Sequence, residues 1–159
     1  MSPLSVHASA VVVGEAGVLV RGPSGAGKSA LCLALIDEAN RRGCFGALVA
    51  DDRVFLTTAH GRLIAAPAAG FEGMIEQRGA GIVRRPHAAR AVLRLAVDLA
   101  PAGESPPRWQ DEAAQTVEIA GVTLARLRLD LRLGPHYAAA LIFPRVVMSD
   151  KSTPAANFA

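Results

Sequence analysis

Gly22-Pro23-Ser24-Gly25-Ala26-Gly27-Lys28-Ser29 satisfies the pattern G-x-x-x-x-G-K-[ST] at every defined position, and its flanks decide the fold. Upstream, Ala10–Val13 and Val18–Arg21 are β-branched runs separated by Gly14-Glu15-Ala16-Gly17, which predicts a hairpin feeding the glycine loop. Downstream, Leu31, Leu35 and Ile36 fall at helical spacing between Lys28 and Arg42, and Gly43 supplies a stop. Strand, glycine loop and helix in that order make a phosphate cradle. Gly25 and Gly27 can take backbone angles closed to other residues and so turn successive N–H groups inward. The start of the helix adds its partial positive charge. Gly22, Pro23, Ser24, Gly25, Ala26, Gly27, Lys28 and Ser29 are therefore the expected nucleotide-binding residues. Lys28 would supply a point charge on the β- and γ-phosphates and Ser29 a Mg²⁺ ligand, with ATP and Mg²⁺ as cofactors.

Beyond the loop, Ala47–Ala50 reads as an apolar strand ending in Asp51-Asp52. Arg53–Thr58 and Arg62–Ala66 alternate with period 2 around Ala59-His60-Gly61, a second hairpin. Ala91–Leu99 predicts a long strand, and Pro101–Asp111 an exposed connector rich in Pro and Gly. Two more strands follow near Thr116–Ile119 and Thr123–Leu131, with Gly121 between them. Tyr137–Val147 has helical character that Pro144 is expected to interrupt. The domain is expected over residues 1–148, with 149–159 a flexible C-terminal tail. Hairpins beside a strand–loop–helix unit predict an α/β domain with a mixed, hairpin-rich sheet rather than a purely parallel one.

Phosphoryl chemistry at such a loop needs carboxylates for metal and base, and an arginine to offset developing charge. Adjacent residues at a strand end point to opposite faces, so Asp51 and Asp52 are expected to divide these tasks. Glu76 and Arg78, two residues apart, would share a face if extended, and Gly79-Ala80-Gly81 allows backbone to approach a ligand. An i, i+2 pair of this kind is also common on plain surfaces, so the spacing alone leaves both readings open.

The chain resembles the HPr kinase/phosphorylase family in three places. His7 precedes the glycine loop by one hairpin; Val49-Ala50-Asp51-Asp52 is similar to the family's strand exit; and Ile75-Glu76-Gln77-Arg78-Gly79-Ala80-Gly81-Ile82 is similar to its signature I-E-x-R-G-x-G-I. The resemblance implies a fold like the nucleotide domain of phosphoenolpyruvate carboxykinase and ATP-dependent phosphorylation of a serine on an HPr-like phosphocarrier protein. It implies Asp51 as proton acceptor paired with His7, with Lys28, Arg78 and Arg108 as further catalytic residues. Ser29 and Glu76 are implied as metal ligands, and Asp52 is expected to support them. The family's late P-x-R/K-P-G-R-N segment stands here as Asp130-Leu131-Arg132-Leu133-Gly134-Pro135-His136, which keeps the glycine and lacks the Arg-Asn pair. That difference weighs against reverse phosphorolysis. The family's N-terminal domain has no counterpart in this sequence, and a homo-oligomer is possible by analogy.

Composition sets the outer bounds. At 159 residues with 51% hydrophobic residues the chain suits one self-sufficient core. Aromatics make up only 4%, which argues against base-stacking platforms for nucleic acid. A net charge of +3 suits an anionic ligand or an acidic protein partner without calling for nucleic acid. Cys32 and Cys44 have no metal-ligand spacing and read as reduced thiols. No basic-then-apolar leader and no membrane-length apolar run occur, so a cytoplasmic setting without membrane contact is expected. Arg84, Arg85, Arg90 and Arg94 read as a solvated basic surface. A small-molecule kinase, or a module that senses ATP without transferring phosphate, would use the same loop.

Overall fold

A computed structural model describes residues 2–107 and 115–150. In chain order the elements are β1 (Leu4–Val6), β2 (Ser9–Val13), β3 (Ala16–Arg21), α1 (Lys28–Arg41), β4 (Gly46–Ala50), β5 (Val54–Ala59) and β6 (Arg62–Pro67). They are followed by β7 (Met74–Gln77), β8 (Gly81–Arg84), β9 (Ala91–Leu99), β10 (Thr116–Ile119), β11 (Val122–Leu129) and α2 (Pro135–Asp150).

The main sheet runs β1-β5-β6-β9-β3-β2-β4, and β11 joins β9 with β10 outside it. β3 and β11 lie parallel to β9 on its two edges, whereas β2, β4, β5 and β6 pair antiparallel, so the sheet is mixed as expected. β9 serves three neighbours because its edge is shared: Ala91 and Val92 pair with β6, and Leu95–Leu99 pair with β11. Short antiparallel ribbons can thereby attach to a parallel centre.

Local chemistry explains the turns. His60 and Gly61, and again Ala120 and Gly121, occupy the left-handed region with φ of 51°, 73°, 50° and 80°, as a two-residue hairpin turn with both φ positive requires. α1 closes where Gly43 takes φ 73° and its N–H bonds to the Asn40 carbonyl.

Two cores flank the sheet. Val11, Val13, Val18, Val20, Leu95 and Val97 face α1 and α2, meeting Leu31, Leu35, Ile142 and Phe143. Ala8, Ala10, Val12, Leu19 and Ala96 face the other way, toward Leu56 and Leu63 of the β5–β6 ribbon and Leu124 of β11. Burying each aliphatic side chain contributes roughly 1.5–3 kcal/mol, so an aliphatic core suffices despite few aromatics. Cys32 lies within the helix-side core, where burial pushes its thiol far above the ordinary range, and Cys44 is half-buried; both are free thiols.

Three sequence expectations change. β1 pairs with β5, although its short polar-flanked run gave no strand signal. α2 continues through Pro144 to Asp150, past the expected start of the tail at Ser149. Pro144 is exposed while Ala138, Ala139, Ile142, Phe143 and Val146 are buried, so the missing hydrogen bond falls on the solvent face and packing holds the helix. Finally, Arg78 is not on a strand with Glu76. β7 ends at Gln77, and Arg78-Gly79-Ala80 turn into β8, because Gly79 and Gly81 accept φ of 86° and 77°.

Candidate active site

The glycine loop leaves β3 beside the end of β9 and opens α1, so it is anchored on a strand buried along all but its last residue. Gly27 caps the helix at φ 102°. That left-handed angle calls for glycine, whereas the Leu131 side chain that a Cβ would meet at 2.5 Å is flexible at its end. Among the described residues Lys28 forms no ion pair with a carboxylate: it is only 7% exposed, and its Nζ donates to the carbonyls of Gly22 (2.9 Å) and Pro23 (3.2 Å). A buried ammonium met by carbonyls alone, at a helix N-terminus, is a fitting place for phosphate oxygens.

Asp51, just past the end of β4, is a hub. Its Oδ1 accepts from Ser9 Oγ (2.7 Å) and Ser29 Oγ (2.8 Å), and its Oδ2 from the Glu76 backbone N–H (3.1 Å). Asp52 then takes φ 66°, which turns its side chain away, and its Oδ1 accepts from His7 Nε2 at 2.9 Å. The neighbours of the two carboxylates are thus the reverse of expectation: His7 meets Asp52 rather than Asp51, and Asp51 rather than Asp52 meets Ser29. The left-handed turn at Asp52, which alternation along a strand does not foresee, causes the exchange.

These groups share one cavity of about 1050 Å³ that also reaches Glu76, Arg78, Gly79, Pro135 and His136. Glu76 and Arg78, separated by the end of β7, still both line it. Arg108 lies outside the described residues, as does Trp109. Arg84, Arg85, Arg90 and Arg94 are exposed, in keeping with a basic surface, and Arg85 donates to Gln77 Oε1 at 3.1 Å. Ser9 carried no weight in the sequence reading. Its available signal was a lone hydroxyl within the apolar run from Ala8 to Val13.

The oxygen-rich set at Ser29 and Asp51 fits a hard cation such as Mg²⁺. Among the described residues no three His, Cys, Asp or Glu side chains gather as a metal cage.

An α/β domain whose first helix opens on a glycine loop of phosphate-binding type, with paired carboxylates at the exit of the strand that follows that helix, is the class that fold and site define. Residues 1–149 match the family described as the HPr Serine kinase C-terminal domain, and the chain belongs to that family. Among curated proteins it is similar to the HPr kinase/phosphorylase of Clostridium tetani, 40% identical over 81 residues that cover 51% of this chain and 25% of that protein. It is also similar to the HPr kinase/phosphorylase of Mycoplasma mycoides, 37% identical over 76 residues covering 48% of this chain and 22% of that one. The match thus spans about a quarter of each relative. The solved structure of the HPr(Ser) kinase/phosphatase from Coxiella burnetii shares the fold, with a TM-score of 0.74 at 24% identity over 92% of this chain and 99% of that one. Among the described residues no helix is long and apolar enough to cross a membrane.

Proposed function

We propose that this domain transfers the γ-phosphoryl group of ATP to a serine of an HPr-like phosphocarrier protein. Family membership and the names of both curated relatives support the reaction class and the acceptor. The observation that carries the mechanism is that one strand exit presents Asp51 to the glycine loop and Asp52 to the cavity mouth.

In this reading Lys28 and the loop N–H groups hold the β- and γ-phosphates, and Ser29 with Asp51 holds Mg²⁺, which offsets phosphate charge when bound. Glu76 is available as a further metal-side carboxylate and Arg78 as a charge on the transferring group. The acceptor serine oxygen attacks phosphorus in line, the bond to the β-phosphate oxygen breaks, and the hydroxyl proton passes to Asp52, which His7 orients. The base is therefore assigned to Asp52 rather than Asp51. An exposed base suits a protein substrate: the Asp52 and His7 side chains are 81% and 51% exposed, open to a seryl loop arriving from solvent.

The test is transfer of labelled γ-phosphate from ATP to purified HPr with Mg²⁺. Label on an HPr serine, lost in Asp52→Asn with nucleotide binding intact, is the expected result. Nucleotide binding without transfer to any HPr would reject the kinase reading in favour of an ATP-sensing module. Added orthophosphate should release little label, since the Arg-Asn pair is absent after Gly134.

A further inference from the structure

We infer that Ser9 is a positioning residue that keeps the two carboxylates at their separate tasks; the inference rests on the phosphotransfer reading above. Ser9 is wholly buried, at 0% exposure, and continues the Val11–Val13 face of β2, where a further valine would extend the core. It instead places a hydroxyl beside Asp51, because Ala10 pairs with Ala50 across β2 and β4. Its Oγ donates to Asp51 Oδ1 at 2.7 Å and accepts the Asp52 N–H at 3.3 Å.

One hydroxyl thereby has two effects. It holds Asp51 Oδ1 at the oxygen that Ser29 also contacts, orienting the carboxylate toward the metal side. It also meets a backbone N–H that the left-handed turn at Asp52 removes from the β2–β4 ladder. Asp52 is then carried toward His7. Lacking that hydroxyl, Asp51 loses one of three donors and the Asp52 turn loses its tether, so metal coordination and proton acceptance should weaken together. Groups that orient a metal ligand commonly alter metal affinity or activity by about 10- to 100-fold.

The test compares Ser9→Ala with Ser9→Thr, which restores the hydroxyl, by three readouts: binding of a fluorescent ATP analogue across a Mg²⁺ titration, kcat and KM for transfer to HPr, and Tm. Ser9→Ala should require about tenfold more Mg²⁺ for half-maximal nucleotide binding and lose at least about tenfold in kcat, with binding in EDTA unchanged. Ser9→Thr should recover most of both. If Ser9→Ala does not fold, Ser9→Cys keeps the volume with a much weaker donor and carries the same expectation. A lowered Tm with Mg²⁺ dependence and kcat within about twofold of the parent overturns the inference and leaves Ser9 a packing residue. A parent chain that binds Mg²⁺ and nucleotide yet labels no HPr rejects the function reading alone, because the Mg²⁺ titration still decides the role of Ser9. A parent that binds no nucleotide overturns both.

Discussion

At the floor of the cavity Lys28 is 7% exposed and Asp51 takes hydrogen bonds from three elements, while at the mouth the Asp52 side chain is 81% exposed and pairs with His7. The floor is fixed by β3 and α1, whose side chains fill the helix-side core, and by β4, whose side chains are divided between the two cores. The mouth is held by a left-handed turn, the Ser9 hydroxyl that accepts the Asp52 N–H, and the His7–Asp52 pair. In the proposed reaction, rigidity at the phosphates costs no reorganisation at the moment of transfer. In the same proposed reaction, openness at the base would admit a protein loop. The two regions should therefore fail in different ways when altered.

The largest effect is expected at the floor. Lys28→Ala should abolish measurable transfer and weaken ATP-analogue binding by at least about 100-fold, since a buried charge on phosphate is removed. A loss in kcat alone, with binding unchanged, would break the contrast, because it would make Lys28 behave like a mouth residue. Next, Asp51→Asn and Asp52→Asn separate the regions directly. Asp52→Asn should lower kcat by about 10²–10⁴ with the Mg²⁺ requirement unaltered, whereas Asp51→Asn should raise that requirement. Equal Mg²⁺ shifts in both would return the two carboxylates to a shared role.

A smaller effect is expected where β3, β9 and β11 are tied together beneath the glycine loop. Arg21 meets Asp98 through Nε at 2.7 Å and Nη2 at 2.8 Å, and Arg126 Nε donates to the same carboxylate. Burial alone would raise the Asp98 carboxyl, but the hydrogen bonds from Arg21 and then Arg126 outweigh it and hold it below the ordinary aspartate value. A carboxyl lower in the folded than in the unfolded state contributes stability above its unfolded value and loses it as pH falls through the folded one. Thermal melting from pH 7 to pH 3 should show parent and Asp98→Asn differing by a few degrees near neutrality. The gap should narrow below about pH 4. A gap that does not change with pH would show that the cluster acts by packing alone. Smallest of all, Ile82→Ser at the exposed β8 position should change stability by no more than about 0.5 kcal/mol, since Ile82 is 68% exposed. A larger loss would mean that the β7–β8 ribbon is as firmly set as the floor.

The legible parts of the molecule are those governed by neighbours in sequence. Gly22–Ser29, the helix from Lys28 to its stop at Gly43, and the hairpins at His60-Gly61 and Ala120-Gly121 follow from side-chain sterics, spacing and turn chemistry. The same locality made Asp51-Asp52 visible as a pair. It could not tell which aspartate faces which partner, because a positive φ at Asp52 inverts the simple alternation of a strand. Ser9 was hidden for a related reason: its partners lie 42 and 43 residues away in sequence.

By itself, then, the sequence determined the phosphate-binding loop, the mixed α/β class and the list of groups from which the site is drawn, since these depend on dihedral preferences and periodicity within short stretches. Only the tertiary structure decided that His7 meets Asp52, that Ser29 meets Asp51, that Arg78 sits in a turn, and that α2 runs through Pro144. Each of those outcomes turns on packing or hydrogen bonding that propensity does not encode. At Pro144 the burial of Ile142, Phe143 and Val146 outweighs one lost solvent-side hydrogen bond, and at Asp52 the hydroxyl of Ser9 meets an N–H that the turn had left behind.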